Sequence, residues 1–268
     1  MSNSSFRTTE RSMPKFEREN LRFITVKSRH LQGRGDICVF VPQDVKEENL
    51  PIAILLHGVY GSAWVWSFLG GAHLTAQQMI EEGRIRPMVL AMPSDGLWGD
   101  GSGYLKHHSG QDFEKWIVED VVQAVRENIS CTSSSSPLFI GGLSMGGFGA
   151  LKLGSKYGHL FKGISAHSAI TEVEQMQLFV EEPLENYRQH ERSDEDVLTS
   201  IRQSPQLPAL RFDCGTSDEL IDFNRHLHKQ LIDHNIEHQY EEFDGGHQWE
   251  YWQLHLQDSL CFFDRLLP

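Results

Sequence analysis

The chain lacks long apolar runs, closely spaced cysteines and an excess of positive charge. No stretch of its 268 residues approaches the length of a membrane-spanning helix, and the polar first twenty residues hold no apolar signal segment. Its four cysteines are far apart, which argues against a C-x-x-C zinc or redox motif. The net charge of −13 disfavours nucleic acid and membrane surfaces as partners. The sequence therefore predicts a soluble, cytoplasmic protein.

Apolar runs alternate with amphipathic segments along most of the chain. Runs 21–28 and 36–42 alternate in polarity and predict an antiparallel strand pair joined near Gly33–Gly35. Later apolar runs predict strands at 52–58, 88–94, 138–142, 162–168, 210–215 and 238–243. Helical spacing predicts helices at 75–82, 112–129, 146–157, 218–234 and 248–267. This alternation is typical of a single α/β domain, over 21–268, whose mostly parallel sheet carries helices on both faces.

Three segments depart from this alternation of predicted strands and helices. Residues 1–20 predict a disordered or extended N-terminal segment. The highly charged segment 171–204 predicts a small cap inserted between two strands. The glycine-rich loop 96–111 is long for a connection inside a compact domain, and such loops are often functional.

A candidate nucleophile lies at the junction of a predicted strand and a predicted helix. Residues 142–146 read GLSMG and fit the pattern G-x-S-x-G. The pattern alone is weak in a glycine-rich chain, but its place after strand 138–142 is the setting of a nucleophile elbow. The glycines allow a tight, strained turn, and the start of the helix supplies amide groups beside the serine. Ser144 is therefore the predicted nucleophile.

A serine nucleophile needs a general base and a carboxylate that orients it. In this arrangement both partners follow later strands, in the order serine, acid, histidine. Among 14 histidines, His247 lies in the loop after the last strand, which is the position expected for the base. Asp218 lies in the loop after strand 210–215 and is the predicted acid.

Other residues compete for these two roles. His167 ends strand 162–168, but it precedes any later acid, so the order is wrong. Asp213 lies within a strand, Asp222 lies one turn into a helix, and Asp244 is close to the base along the chain. Asp244 is the second choice for the acid, and Asp218 could instead simply cap the following helix.

The loop after strand 52–58 is the expected source of a second oxyanion donor. Its sequence HGVYGS, at 57–62, contains the glycines that such a loop needs. The predicted donors are the backbone N–H groups of Met145 and of either Val59 or Tyr60.

Aromatic side chains near these loops are candidate substrate contacts. We expect His57 beside the oxyanion loop, and Trp64 and Trp98 in the substrate pocket. Aromatic residues at such positions can equally fill the core.

Several of these segments together resemble the esterase D-like "putative esterase" family of α/β-hydrolases. The resemblance covers about residues 20 to 268, and its most specific part is the tail. The matching stretches are LLHGVYGS at 55–62, GGLSMGG at 141–147 and the tail at 213–252. The family includes tributyrin-type, feruloyl and acetylxylan esterases, S-formylglutathione hydrolases and mycolyltransferases. Leu143 stands where S-formylglutathione hydrolases typically have histidine, which favours the tributyrin or feruloyl type.

The resemblance implies an α/β-hydrolase fold and places the nucleophile, acid and base on Ser144, Asp218 and His247. It implies hydrolysis of a small ester, short-chain or with a sugar or aryl part, through an acyl-enzyme. No cofactor or metal is expected, and a homo-oligomer is an open alternative. Two other functions remain open: acyl transfer by the same residues, and carbohydrate binding without catalysis.

Overall fold

The computed structural model describes residues 4–43 and 45–268. The strands of this part are Thr9–Arg11 (β1), Leu21–Ser28 (β2), Gly33–Phe40 (β3), Ile52–Leu56 (β4), Val89–Pro93 (β5), Leu138–Leu143 (β6), Phe161–His167 (β7), Ala209–Gly215 (β8) and Gln239–Phe243 (β9). The α-helices are Val65–Phe68 (α1), Ala72–Glu81 (α2), Phe113–Lys115 (α3), Val122–Asn128 (α4), Met145–Lys156 (α5), Arg192–Glu195 (α6), Val197–Gln203 (α7), Ile221–Asp233 (α8) and Trp249–Arg265 (α9).

The strands form one mixed sheet in the order β1-β2-β3-β5-β4-β6-β7-β8-β9. Strands β1 to β3 pair antiparallel, β3 pairs antiparallel with β5, and the six strands from β5 to β9 run parallel. The predicted α/β-hydrolase fold is confirmed. Because the parallel strands point the same way, the loops after β4, β6, β8 and β9 open at one edge of the sheet.

The predicted N-terminal strand pair forms, but its turn lies earlier than expected. Strand β3 already begins at Gly33, and Gln32 before it takes the left-handed conformation, with φ of 53°. Gly35 lies inside the strand against the Trp116 ring, where a Cβ would overlap the indole. The glycines at 33 and 35 therefore belong to the strand, and close packing explains the second of them.

Apolar alternation along β4 divides the core into two layers. Ile52, Ile54 and Leu56 face the layer beneath α5, whereas Ala53 and Leu55 face the layer beneath α2 and α9. All five residues of β4 are buried, as expected for a strand covered on both faces. No helix in residues 4–43 and 45–268 is long and apolar enough to cross a membrane.

Two segments outside the regular alternation have a definite structure. Of residues 1–20, expected to be disordered or extended, residues 9–11 form β1 and pair with β2, and 1–3 lie outside the described part. Residues 171–204 leave the sheet between β7 and β8. They form two short 3₁₀-helices, at Val173–Leu178 and Leu184–Asn186, followed by α6 and α7.

Residues 112–129 form a helix, as predicted, but its middle is π-helical and not α-helical. The Asp112 carboxylate accepts a hydrogen bond from the Lys115 backbone N–H at 2.9 Å, so the predicted N-cap forms. The segment Trp116–Val121, between α3 and α4, has π-helical pairing, which the apolar spacing did not indicate. Within it, the Trp116 indole donates to the Ser94 carbonyl at 2.7 Å and ties the helix to the end of β5.

Candidate active site

Ser144 lies on a strained turn between β6 and α5. Its φ of 54° and ψ of −121° are sparsely populated for a residue with a side chain and cost on the order of 1–3 kcal/mol. Three hydrogen bonds fix this turn: Ser144 N–H donates to the His167 carbonyl at 3.0 Å, and the Ser144 carbonyl accepts from the amides of Phe148 and Ile170. The surrounding backbone therefore holds the conformation that presents the side chain to His247.

The glycines around the serine allow strand and helix to approach closely. A Cβ at Gly142 would overlap the Gly146 carbonyl and lie 2.9 Å from the Leu56 carbonyl oxygen. A Cβ at Gly146 would overlap Leu56 as well. Both positions of the G-x-S-x-G pattern are thus closed to any larger residue by backbone atoms.

Three predicted site residues meet at the open edge of the sheet. Ser144 Oγ lies 3.0 Å from Nε2 of His247, and Nδ1 of His247 lies 3.0 and 3.1 Å from the two carboxylate oxygens of Asp218. A carboxylate can only accept, so Nδ1 carries the proton and Nε2 is left to accept from the serine hydroxyl. We call these three residues the Ser144–His247–Asp218 array.

Asp218 stays ionised although its side chain is fully buried. Burial alone would raise its pKa, but the hydrogen bond and charge of His247 and the Leu220 N–H, 2.8 Å from Oδ1, outweigh burial. The net result is a lowered pKa. At neutral pH the array therefore holds a negative charge beside the imidazole, which favours the imidazolium that proton transfer from Ser144 would create.

Two backbone amides close to Ser144 are candidates for binding an oxyanion. The loop after β4 passes against the nucleophile, since a Cβ at Gly58 would lie 3.2 Å from Ser144 Cβ. Neither Val59 N–H nor Met145 N–H has a hydrogen-bond acceptor among the residues that the structure describes. Free amides beside a serine are the usual parts of an oxyanion hole.

Tyr60, the alternative donor on that loop, is already engaged. Its N–H donates to the Asp100 carbonyl at 2.7 Å, and its φ of 58° turns the backbone toward the loop that contains Asp100. Of the two amides considered from the sequence, the structure therefore leaves Val59 as the candidate and removes Tyr60.

His57 lies beside the oxyanion loop, as expected, but it does not face a substrate. Its side chain is buried, Nδ1 donates to the Gly58 carbonyl at 2.7 Å, and Nε2 accepts from the Asp95 N–H at 3.0 Å. Because both of its ring nitrogens are hydrogen-bonded to the backbone, His57 holds the loop after β4 in place. Its assignment as a substrate contact is corrected on this ground.

Neither of the two predicted pocket tryptophans forms an aromatic pair with His247 among the described residues. Trp64 is exposed at the start of α1, and no aromatic pair among the described residues joins it to His247. Trp98 packs edge-on against His107 and Tyr187, with ring centroids 4.2 and 5.6 Å away. Trp98 therefore packs between the 96–111 loop and the 171–204 segment. This is the core-filling role that the sequence left open as the alternative to a substrate contact.

The competing histidine belongs to a second, sealed network. His167 Nδ1 lies 2.8 Å from Asp213 Oδ2, and Nε2 lies 2.7 Å from Ser259 Oγ. All three side chains are buried, and Arg211 adds a further ion pair to Asp213 at 2.6 Å. This network has the residue types of a catalytic triad but no access to solvent. The other alternative acids, Asp222 and Asp244, are exposed on the surface.

Sequence reasoning missed the residues that cover the array. The Phe179 ring stacks on His247, with centroids 5.1 Å apart and planes at 21°. Asp100 joins three segments: its carboxylate accepts from Glu181 N–H at 2.8 Å and lies 3.3 Å from the Tyr60 hydroxyl. The apolar triplet Leu178–Val180 inside a charged segment was the available signal for Phe179.

Comparison with known proteins identifies the family to which this arrangement belongs. The model of the "Putative esterase" family matches residues 28–263. The chain belongs to this family. This esterase is also 28% identical to the acetyl esterase of Caldicellulosiruptor saccharolyticus over 242 residues, which cover 84% of its own chain and 87% of the relative.

Solved structures show the same fold at lower identity. A ferulic acid esterase superposes with a TM-score of 0.79 at 21% identity, covering 97% of this chain and all of the other. An S-formylglutathione hydrolase from Staphylococcus aureus superposes with a TM-score of 0.75 at 19% identity, covering 91% and 98%. Family membership makes the protein a carboxylic ester hydrolase of the α/β-hydrolase fold.

Proposed function

We propose that this esterase hydrolyses short-chain esters, or esters with a sugar or aryl part, by a Ser-His-Asp mechanism. Ser144 attacks the ester carbonyl, His247 takes its proton, and Asp218 holds the imidazole and stabilises the imidazolium. His247 then returns the proton to the leaving alkoxide, and water enters by the same route to release the acid. The observation that carries the proposal is the 3.0 Å approach of His247 Nε2 to Ser144 Oγ, with Asp218 behind it.

The amides of Val59 and Met145 are proposed to bind the oxyanion of the tetrahedral intermediate. Both lie next to Ser144 in position, and both lack another acceptor among the described residues. Met145 also stands at the N-terminus of the twelve-residue helix α5, whose dipole favours negative charge there. Donors already fixed by the fold need no reorganisation during the reaction, which is the source of their catalytic effect.

The surroundings of the array support an uncharged ester as substrate. Tyr60 and Leu178 are exposed near Phe179. Partial loss of hydration and the charges of Asp100, Glu181 and Glu182 raise the pKa of the Tyr60 hydroxyl, so this side of the site is negative. The name of the acetyl esterase relative agrees with a small neutral acyl group. We expect a panel of esters to show faster turnover of neutral acyl groups than of acyl groups with a free carboxylate.

The nucleophile is tested by changing Ser144 to Ala. Turnover of p-nitrophenyl acetate should fall by roughly 10⁴- to 10⁶-fold, because the residual rate comes from the oxyanion hole and binding alone. The matched control is Ser259→Ala, which alters the sealed Ser-His-Asp network. A fluorophosphonate probe should label the folded Ser259 variant and not the Ser144 variant. Near-normal turnover in Ser144→Ala would refute the mechanism.

A further inference from the structure

Two aromatic rings hold the imidazole of His247. The Phe179 ring lies nearly parallel to it, 5.1 Å away at 21°. The Trp252 ring lies perpendicular to it, 4.9 Å away at 90°. Only 16% of the His247 side chain remains exposed. The two rings come from different parts of the chain, since Trp252 lies on α9 whereas Phe179 lies in the 171–204 segment.

The structure fixes Phe179 through the loops that border the site. Its carbonyl accepts a hydrogen bond from the Tyr60 hydroxyl at 2.8 Å. Two residues further on, Glu181 N–H donates to Asp100, and the Glu182 carboxylate accepts from Asp100 N–H at 3.0 Å. Phe179 is thereby tied both to the loop after β4 and to the loop after β5. A ring held in this way has a defined position over the imidazole.

We propose that Phe179 is a positioning residue that stabilises the protonated form of His247 during ester cleavage. The face of an aromatic ring carries partial negative charge and attracts a cation within about 6 Å of its centroid. The imidazolium of His247 would form within this range and at a nearly parallel angle. The proposal rests on the proposed role of His247 as the general base, and it adds an electrostatic contribution from outside the array.

The two side chains that hydrogen-bond to His247 approach a different part of the ring from Phe179. Asp218 approaches Nδ1 in the plane of the ring, and Ser144 approaches Nε2. Both therefore meet the ring edge, whereas Phe179 covers a face. Titratable side chains close in sequence to the residues that contact His247 or Phe179 include Tyr60, Asp100, Glu181, Glu182, Cys214, Glu219, Asp244, Glu250 and Tyr251. Replacing Phe179 with an uncharged residue leaves all of these groups in place.

Phe179→Leu is the informative variant, because leucine keeps much of the apolar volume and removes the π face. Its kcat/KM plateau with p-nitrophenyl acetate should fall about two- to fivefold, which corresponds to a cation–π contribution of about 0.5–1 kcal/mol. The acidic limb of the kcat/KM profile should move to lower pH by about half a unit, because the imidazolium is less stabilised. Phe179→Tyr keeps the ring and should preserve both values.

The shift should also be visible without catalysis. In a Ser144→Ala background, NMR titration of the His247 imidazole should show the same downward displacement for Phe179→Leu and none for Phe179→Tyr. This measurement does not depend on turnover, so it separates failure of this inference from failure of the proposed function. An unchanged His247 titration in Phe179→Leu would overturn the inference. Equal displacement in the leucine and tyrosine variants would also overturn it, because packing alone would then explain the effect.

Discussion

At the scale of single side chains, Asp218 decides which nitrogen of His247 carries a proton. Both of its carboxylate oxygens lie within 3.1 Å of Nδ1. In Asp218→Asn the amide can donate to Nδ1 and favour the wrong tautomer, so Nε2 can no longer accept from Ser144. We expect kcat for p-nitrophenyl acetate to fall by about 10⁴-fold while the variant remains folded.

Asp222→Asn is the control for this change, because Asp222 is exposed on α8 and contacts only Arg225 among the described residues. Its turnover should equal that of the unaltered enzyme. If Asp218→Asn keeps more than about a tenth of the activity, another group orients His247.

The sequence allowed prediction of the residues whose place follows from the order of strands. Ser144, Asp218 and His247 each follow a strand of a parallel sheet, so their loops must open at one edge. The sequence did not allow prediction of which backbone amide, that of Val59 or that of Tyr60, lacks a hydrogen-bond acceptor. Tyr60 N–H is occupied by the Asp100 carbonyl, forty residues later, and no local pattern encodes that pairing. The position of Phe179 over His247 depends on tertiary contacts of the same kind.

At the scale of secondary-structure elements, the junction of β6 and α5 leaves no room for a side chain at Gly142. In Gly142→Ala the new methyl group meets the carbonyls of Gly146 and Leu56, which are backbone atoms and cannot rotate away. We expect the free energy of unfolding to fall by about 1–3 kcal/mol or more, measured by urea denaturation. Gly33→Ala is the comparison, because the nearest atom to its new Cβ, the Leu31 carbonyl oxygen, would lie 3.5 Å away. A Gly142 variant as stable as the Gly33 variant would contradict this account.

Helix α5 is anchored by a buried ion pair. The Lys152 ammonium is fully buried, 2.9 Å from Glu114 Oε2, and donates to the Tyr104 carbonyl at 3.0 Å. Lys152→Met leaves Glu114 Oε2 without this partner, whereas Oε1 keeps Lys156 at 2.8 Å. The free energy of unfolding should fall by about 1–3 kcal/mol.

The double variant Lys152→Met/Glu114→Gln tests the cause of that loss. Removing both charges should restore much of the stability, because the penalty comes from a buried carboxylate that has lost its partner at Oε2 and keeps only Lys156 and Tyr157 at Oε1. Lys156 keeps Asp194 as a partner at 2.7 Å in the double variant. Additive losses in a double-mutant cycle would show that the pair itself contributes nothing.

At the scale of the whole molecule, two buried carboxylates connect stability to pH. Burial alone would raise the pKa of Asp213 and of Glu114. For Asp213, His167 and Arg211 outweigh burial, and for Glu114, Lys152 and Lys156 do so. The pKa of each is held at about 2, below the unfolded values of 3.8 and 4.5. Each therefore stabilises the fold by roughly 2–4 kcal/mol at neutral pH.

Both pKa values are lowered by folding, so this stabilisation is complete above about pH 5 and is lost as the pH falls through about 2. Urea denaturation at a series of pH values should show the free energy of unfolding dropping steeply between pH 5 and pH 2. In Glu114→Gln the part of the slope due to that group should disappear. A flat profile over this range would contradict the assigned ion pairs.

The contact between the 171–204 segment and His247 couples substrate range to reaction rate, two properties that enzymes often vary separately. Through Phe179, one inserted stretch contacts both Tyr60 and the imidazole of His247, the proposed general base. Directed evolution that reshapes this stretch for bulkier esters would change the turnover of every ester at once. From the proposed role of Phe179, we expect substrate range and reaction rate to change together in this enzyme, with compensating changes in the Tyr60 and Asp100 loops.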